Sequence, residues 1–234
     1  MRIGGLLKFS LIDYPGKVAA VVFTQGCNYR CPFCHNPELV LPESFKEPVD
    51  TGAVVTFLEK RRGQLQGVVI TGGEPTLQPG LLPFMRRVKD MGFLLKLDTN
   101  GSNPQVLAAI LQAGLADYLA MDIKSSPAGY ARAAGVPVDM DAVAHAVALI
   151  KASGVPYMFR TTAVKGFVAA DDVAAIRGFL GAVGFYKLQR GNLKAGVLDP
   201  ALLDGPSDFS EDEWRLLEAA CAGMPGPLTT APRP

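Results

Sequence analysis

Six times along this chain a short apolar run is followed by an amphipathic segment, and that alternation constrains the fold more than any other feature. The runs cover residues 18–24, 68–71, 93–98, 118–123, 157–164 and 185–189. They do not alternate cleanly between apolar and polar, which suits strands covered on both faces, as in parallel sheets. The helical segments carry start signals. One begins after Asp50 and Thr51, one near Gln78-Pro79-Gly80 and one after Ser102-Asn103-Pro104; others span about 139–152, 171–180 and 210–221. Ser210 and Glu213 have the spacing of a capping box. Strands alternating with helices imply right-handed crossovers. A closed eight-unit barrel takes about 250 residues, whereas this chain has 234, many of them before the second run. The pattern therefore predicts an α/β fold, an incomplete (β/α)6 TIM-like barrel with parallel strands, over residues 1–222. A doubly wound sheet is the alternative topology. The Pro- and Gly-rich end, 223–234, reads as a C-terminal tail.

Bulk composition narrows the partners. The chain is 49% hydrophobic and 19% charged, with a formal net charge of +1. That balance suits one soluble domain with a sizeable core. It gives no support for nucleic acid or an anionic membrane surface as a partner. The run Lys60-Arg61-Arg62 fits a helix C-terminus, where cations oppose the dipole. No apolar stretch is long enough to span a bilayer. The cysteines, mostly crowded into one loop, point to metal chemistry in a reducing compartment, with cytoplasm the expected location.

That loop reads Cys27-Asn28-Tyr29-Arg30-Cys31-Pro32-Phe33-Cys34, a C-x3-C-x2-C spacing. Thiolates are soft ligands that select iron–sulfur clusters or zinc. A cubane cluster normally takes four of them; held by three, it keeps one iron open to a substrate, as a catalytic metal keeps an open position. The remaining cysteine, Cys221, is distant in sequence. Three other readings compete. Cys31-Pro32-Phe33-Cys34-His35 has the form of a haem attachment string, but no secretory signal precedes it and Cys27 would have no role. A zinc knot using His35 would need adjacent residues to face one metal and lacks a second ligand pair. A redox C-x-x-C also leaves Cys27 unexplained.

Polar residues gather where the apolar runs end, which in parallel α/β folds is where active sites lie. They are Thr71-Gly72-Gly73-Glu74-Pro75, Leu97-Asp98-Thr99-Asn100-Gly101, Met121-Asp122-Ile123-Lys124 and Arg160-Thr161-Thr162. Taken singly, each is equally well a turn or a cap. Together they suit a ligand with both charges of an amino acid. Gly72 and Gly73 allow close backbone approach, and Glu74 can accept from an ammonium. Lys124 or Arg160 can pair with a carboxylate, while Asp98 and Asp122 can bind ribose hydroxyls or a small cation. An amino group, a carboxylate and a ribose describe S-adenosylmethionine.

The cysteine spacing followed by Gly-Gly-Glu-Pro resembles the radical S-adenosylmethionine superfamily. Ser10-Leu11-Ile12-Asp13-Tyr14-Pro15-Gly16-Lys17, Gln25-Gly26-Cys27-Asn28 and Cys34-His35-Asn36-Pro37-Glu38-Leu39 resemble, more narrowly, the activating proteins of anaerobic ribonucleoside-triphosphate reductase. Asp98-Thr99-Asn100-Gly101 and Asp122-Ile123-Lys124 are similar to strings of pyruvate formate-lyase activating enzymes. The resemblance implies a [4Fe–4S] cluster on Cys27, Cys31 and Cys34 whose open iron binds S-adenosylmethionine. It implies that Glu74, with the backbone of Gly72 and Gly73, meets the amino group. Asp98, Thr99 and Asp122 resemble positions around a small cation beside the methionine carboxylate, with Lys124 and Arg160 neutralising the same region. Related activating enzymes carry a histidine near the ribose where this chain reads Leu188-Gln189-Arg190.

The activity implied is reductive cleavage of S-adenosylmethionine to a 5′-deoxyadenosyl radical, which generates a glycyl radical on a partner. The partner implied is the large subunit of anaerobic ribonucleotide reductase, and the electron donor a flavodoxin or ferredoxin-type protein. Three alternatives stand beside it: a different glycyl-radical partner, a small-molecule radical enzyme like the 7-carboxy-7-deazaguanine synthases, and a non-catalytic iron–sulfur or zinc module. A metal knot alone would need neither Gly-Gly-Glu-Pro nor Asp98, Asp122 and Lys124.

Overall fold

The computed structural model describes residues 1–193, 196–203 and 208–224. Its strands are β1 (Ile3–Ser10), β2 (Ala19–Thr24), β3 (Gly67–Gly72), β4 (Leu94–Thr99), β5 (Tyr118–Asp122), β6 (Tyr157–Ala163) and β7 (Tyr186–Arg190). The helices are α1 (Pro37–Val40), α2 (Thr51–Lys60), α3 (Leu81–Asp90), α4 (Pro104–Gln112), α5 (Tyr130–Ala134), α6 (Met140–Ala152), α7 (Ala170–Leu180) and α8 (Glu211–Ala220). The strands form one seven-stranded sheet in the order β1 to β7. A doubly wound sheet reverses its order at a switch point. This one does not, and its sequential order is that of a (β/α)6 partial barrel. Each of the six expected strands is present within a residue of its expected ends. β2 with β3, β3 with β4 and β6 with β7 pair in parallel.

Three elements depart from the expectation. β1 precedes the repeat and pairs antiparallel with β2, with register irregularities on both sides of its middle. Its glycines and mixed polarity hid it, because Gly weakens a strand pattern. The short α1 and α5 also lie outside the expected pattern. The Ser10–Lys17 string is the β1–β2 connection. Ser10 Oγ donates to Asp13 Oδ2 at 2.5 Å and accepts from the N–H groups of Ile12 and Asp13. The turn buries Tyr14 in an apolar cluster with Ala19, Val21 and Val69.

Local signals set the helix ends. Asp50 accepts from Ala53 N–H at 2.7 Å to cap α2, which ends at Lys60 as the basic run implied. Asn103 caps α4, with Pro104 just inside the helix. Ser210 and Glu213 form the expected capping box of α8. Among the described residues no helix is long and apolar enough to cross a membrane.

The chain divides into two compact units. The first comprises 1–28, 38–120 and 142–156; the second comprises 29–37, 121–141 and the described residues from 157 onward. In the first, Val68, Ile70, Leu95 and Leu97 are fully buried, as are Leu58, Leu81, Met85, Val88 and Ile110 of the helices or nearly so. In the second, Phe159, Tyr186, Ile176, Trp214 and Leu217 are buried. Of the expected tail, residues 225–234 lie outside the described residues.

Candidate active site

In the first unit, β2 ends at Thr24 and the chain passes through Gln25 and Gly26 to Cys27. The end of β3 lies against this turn, backbone to backbone. Gly73 N–H donates to Thr24 O at 2.9 Å, and Glu74 N–H donates to Gly26 O at 2.8 Å. Gly72 has φ of +111°, and a Cβ there would fall 2.4 Å from Thr24 N. A Cβ on Gly73 would fall 2.1 Å from Gly26 O. Gly72 and Gly73 are therefore required for the turn that carries Cys27 to seat on β3, a packing role beyond an ordinary turn.

Glu74 is fully buried. Its Oε1 accepts from Thr76 N–H at 3.0 Å, Thr76 Oγ1 at 2.5 Å and Thr99 Oγ1 at 2.7 Å. Its Oε2 accepts from Asn100 N–H at 2.7 Å. Burial pushes this carboxyl above its ordinary pKa, against the hydrogen bonds from Thr76, Asn100 and Thr99, which lower it. The carboxylate thus fastens the end of β3 to the end of β4. Its sequence-expected role, accepting from an ammonium, finds the group already supplied with donors from its own chain.

Asn100 was read only as a turn residue, yet its Nδ2 donates to Asn28 Oδ1 at 3.0 Å and stands 4.0 Å from Cys27 Sγ. The signal for it was its place directly after Asp98-Thr99 at a strand end. On β4, Asp98 is ion-paired to Lys96, which is almost wholly buried. Burial raises the Tyr118 phenol, with the charge of Asp98 adding to the effect.

In the second unit, the segment carrying Cys31 and Cys34 is pinned by its backbone. Cys34 N–H donates to Cys31 O at 2.9 Å, closing a turn. Pro32 O and Cys34 O accept from Asp199 and Leu198 N–H, and Arg30 N–H donates to Ala134 O at 2.8 Å. Gly135, at φ +68°, ends α5 where a Cβ would fall 2.0 Å from Arg30 O. Phe33 packs edge-on against Phe167, with ring centroids 5.3 Å apart.

Asp122 lies between two cations. Its Oδ2 accepts from Lys124 Nζ at 3.0 Å, and its Oδ1 from Arg160 Nε. Burial would raise this carboxyl, but Arg160 and Lys124 outweigh it and hold Asp122 well below the usual carboxylate range. Burial would lower Lys124, but Asp122 and then Cys31 keep its ammonium charged. Burial pushes the Cys31 thiol up, with Lys124 opposing. Arg160 pairs with Lys187 across the β6–β7 register, and Thr162 with Gln189. Gln189 Nε2 donates to Thr162 Oγ1 at 2.9 Å, so Gln189 shares the face of Arg160. Arg190 instead stacks on Trp214 of α8 at 4.6 Å and bonds Glu211.

All the cysteines are free thiols. Cys221 is buried at the end of α8, where burial raises its pKa to about 11. Among the described residues no three His, Cys, Asp or Glu side chains are grouped as ligands of a single metal ion.

The family model described as the Radical SAM superfamily matches residues 21–177. A candidate glycyl-radical enzyme activating enzyme of Methanocaldococcus jannaschii is 38% identical over 123 residues, 52% of this chain and 50% of that protein. A 7-carboxy-7-deazaguanine synthase of Methanopyrus kandleri is 33% identical over 131 residues, 47% of this chain and 51% of that protein. The chain thus spans about half the length of these relatives. Among solved structures, Streptococcus suis SuiB bound to precursor peptide SuiA matches with a TM-score of 0.69 at 12% identity. That match covers 89% of this chain and 48% of SuiB, and at such identity it speaks for the fold alone.

Proposed function

The chain belongs to the radical SAM superfamily, and from that premise we propose that it generates a glycyl radical on a partner enzyme, the large subunit of an anaerobic ribonucleotide reductase. The observation that carries this reading is the likeness to the M. jannaschii activating enzyme over half the chain, together with the Ser10–Lys17 and Cys34–Leu39 strings. When bound, a [4Fe–4S] cluster supplies an electron to S-adenosylmethionine, whose cleavage yields the 5′-deoxyadenosyl radical that takes hydrogen from a partner glycine.

Cys27, Cys31 and Cys34 would hold the cluster as soft donors on one continuous loop. Gly72 and Gly73 hold the base of that loop to β3, and their backbone would meet the amino group of S-adenosylmethionine. Glu74 contributes by fixing these strand ends. Lys124 and Arg160, partly exposed and steadied by Asp122, would face the methionine carboxylate. Asp98 and Thr99 position the end of β4, and Gln189 with Thr162 offers hydrogen bonds where related activators carry a histidine. A protein partner accords with the exposed apolar run Leu7, Phe9, Leu11 and Ile12. Within this reading the electron comes from a flavodoxin or ferredoxin-type donor, in the cytoplasm.

The likeness to a 7-carboxy-7-deazaguanine synthase favours a second reading, radical chemistry on a small molecule. One experiment separates the two. The reduced holoenzyme is mixed anaerobically with S-adenosylmethionine and the candidate reductase subunit. A doublet in electron paramagnetic resonance is expected, formed in parallel with 5′-deoxyadenosine. Deuterated partner glycines should collapse the doublet and move label into 5′-deoxyadenosine. Cleavage without a protein radical would favour the small-molecule reading. Alanine at Cys27, Cys31 or Cys34 should each abolish the iron content of about four per chain, whereas Cys221→Ala should retain it.

A further inference from the structure

The resemblance that leads to S-adenosylmethionine also puts a small cation at Asp98, Thr99 and Asp122, and this chain's residues do not fit one. Asp98 is ion-paired to Lys96. Thr99 Oγ1 donates to Glu74 at 2.7 Å. Asp122 is held by Lys124 and Arg160. Each prospective oxygen ligand is engaged within its own unit by a group of the chain.

Lys96 is the unusual member of this set. It stands two residues before Asp98 on β4, so both side chains leave the same face of the strand. Its register partner on β3 is Val69, which is itself paired with Val21 on β2. Both valines belong to the buried apolar cluster with Tyr14 and Ala19. In that row a third aliphatic residue would satisfy packing, yet the position holds a lysine. The Lys96 side chain is 3% exposed and that of Asp98 11%, so the lysine is the deeper partner. An ammonium so enclosed stays charged only beside an anion.

We infer that Lys96 is a tethered counter-ion for Asp98, supplying from within the chain the positive charge that an exchangeable sodium or potassium ion would otherwise bring. This rests on the reading above that Asp98 belongs to the S-adenosylmethionine site. Lys96 is thus a positioning residue, acting on the ligand through Asp98. A covalently held ammonium has no dissociation equilibrium with bulk salt, so Asp98 keeps one placement whatever the cation in solution. Ligand binding by this chain is therefore independent of the monovalent cation present.

The test is anaerobic calorimetry of S-adenosylmethionine on the reconstituted holoenzyme in potassium, sodium and choline chloride at matched ionic strength. Thermal melting of holo and cluster-free protein is followed in the same salts. For the wild-type chain the dissociation constants should agree within about twofold, and the melting midpoints should coincide. Lys96→Ala vacates space beside Asp98. It should lose about tenfold or more in affinity in choline and regain part of it in potassium or sodium. Lys96→Met fills that space with apolar atoms and should gain nothing from either ion. Lys96→Arg keeps the charge and should keep both the wild-type affinity in choline and the indifference to salt, whereas Lys96→Met should lose affinity in every salt, a loss that a purely packing role would not produce. A wild-type affinity that falls tenfold from potassium to choline would overturn the inference by showing an exchangeable ion at work. So would Lys96→Ala binding like wild type in every salt. If Lys96→Ala does not fold, the affinities of Lys96→Arg and Lys96→Met in choline still decide, equal values overturning the inference. Wild-type protein that binds no S-adenosylmethionine in any salt would instead overturn the parent reading and this inference with it.

Discussion

Glu74 and Asp122 are both carboxylates at the end of a strand, and the chain treats them in opposite ways. Glu74 is sealed from solvent and accepts only from neutral donors, backbone N–H groups and threonine hydroxyls. Asp122 is partly exposed and held by two cations. Neutral donors offset only part of the cost of burying a charge, whereas opposite charges reverse it. Glu74 is accordingly raised above the usual carboxylate range and Asp122 depressed below it. The same contrast extends to the cysteines. In the first unit Cys27 has an amide, Asn100 Nδ2, beside its sulfur. In the second, the charge of Lys124 acts on Cys31. Although the first unit also holds the Lys96–Asp98 ion pair, the surroundings of Glu74 and Cys27 are built from dipoles and those of Asp122 and Cys31 from full charges. The former are suited to holding backbone in place, the latter to receiving a charged ligand.

If that division is right, the larger stability loss comes from the neutral region. Glu74→Ala removes the acceptor for the buried N–H groups of Thr76 and Asn100 together. An unsatisfied buried donor costs about 1–3 kcal/mol, so the variant should lose about 2–6 kcal/mol in chemical denaturation at neutral pH. A loss below about 1 kcal/mol would mean that water reaches these groups and that Glu74 is not the fastening described. Asp122→Asn should cost less, about 1–2 kcal/mol, because its cations retain some access to solvent. It should instead weaken S-adenosylmethionine binding by leaving Lys124 and Arg160 unsteadied, which calorimetry would detect. Equal losses from both variants would erase the distinction between the regions.

How far sequence reaches follows the same line. Both the βα repeat and the strand-end positions of Gly72, Asp98 and Asp122 were legible, because hydrophobic periodicity and capping are local. What Glu74 does was not. Its donors come from Thr76 and from Thr99 and Asn100, and the last two become neighbours only once β3 and β4 pair. Read as a strand-end carboxylate, Glu74 looks like a group offered to a ligand; folded, it is turned inward. Asn100 was missed for the same reason, since its contact with Asn28 spans 72 residues. Gly73 shows the intermediate case. Its need for close approach was foreseen, but what approaches is the carbonyl of Gly26. β1 escaped notice because it lies outside the repeat that made the other strands visible.

The opposite pKa directions give stability profiles of opposite slope. A carboxyl raised in the folded state contributes stability that is fully present below its unfolded pKa, about 4.3 for Glu, and is lost as pH rises through the raised value. A carboxyl depressed in the folded state contributes stability present above its unfolded pKa, about 3.9 for Asp, and lost as pH falls toward the depressed value. Wild-type protein should therefore lose ground to Glu74→Gln as pH rises from about 4.3. It should lose ground to Asp122→Asn as pH falls below about 3.9. Urea unfolding of the three proteins across that range checks the signs. Slopes of the same sign would mean that the two carboxyls share one kind of environment.

The smallest effect concerns the cluster that the cysteines are proposed to hold. Reduction adds an electron, so a nearby positive charge favours it and a hydrogen bond to a ligating sulfur does so more weakly. Lys124→Met removes a full charge and leaves Arg160 and Asp122 as a neutral pair. Asn100→Leu removes an amide dipole that stands 4.0 Å from Cys27 Sγ, and a dipole's influence falls off faster with distance than a charge's. Both variants should move the reduction potential to more negative values, Lys124→Met by the larger amount. Iron content should remain that of the wild type, since neither residue is a proposed ligand. Anaerobic redox titration followed by electron paramagnetic resonance measures both shifts on one scale. A shift at Asn100 as large as that at Lys124 would place the electrostatic weight in the first region and invert the comparison. No shift on losing Lys124 would show that its charge is spent on Asp122 and does not reach the cluster.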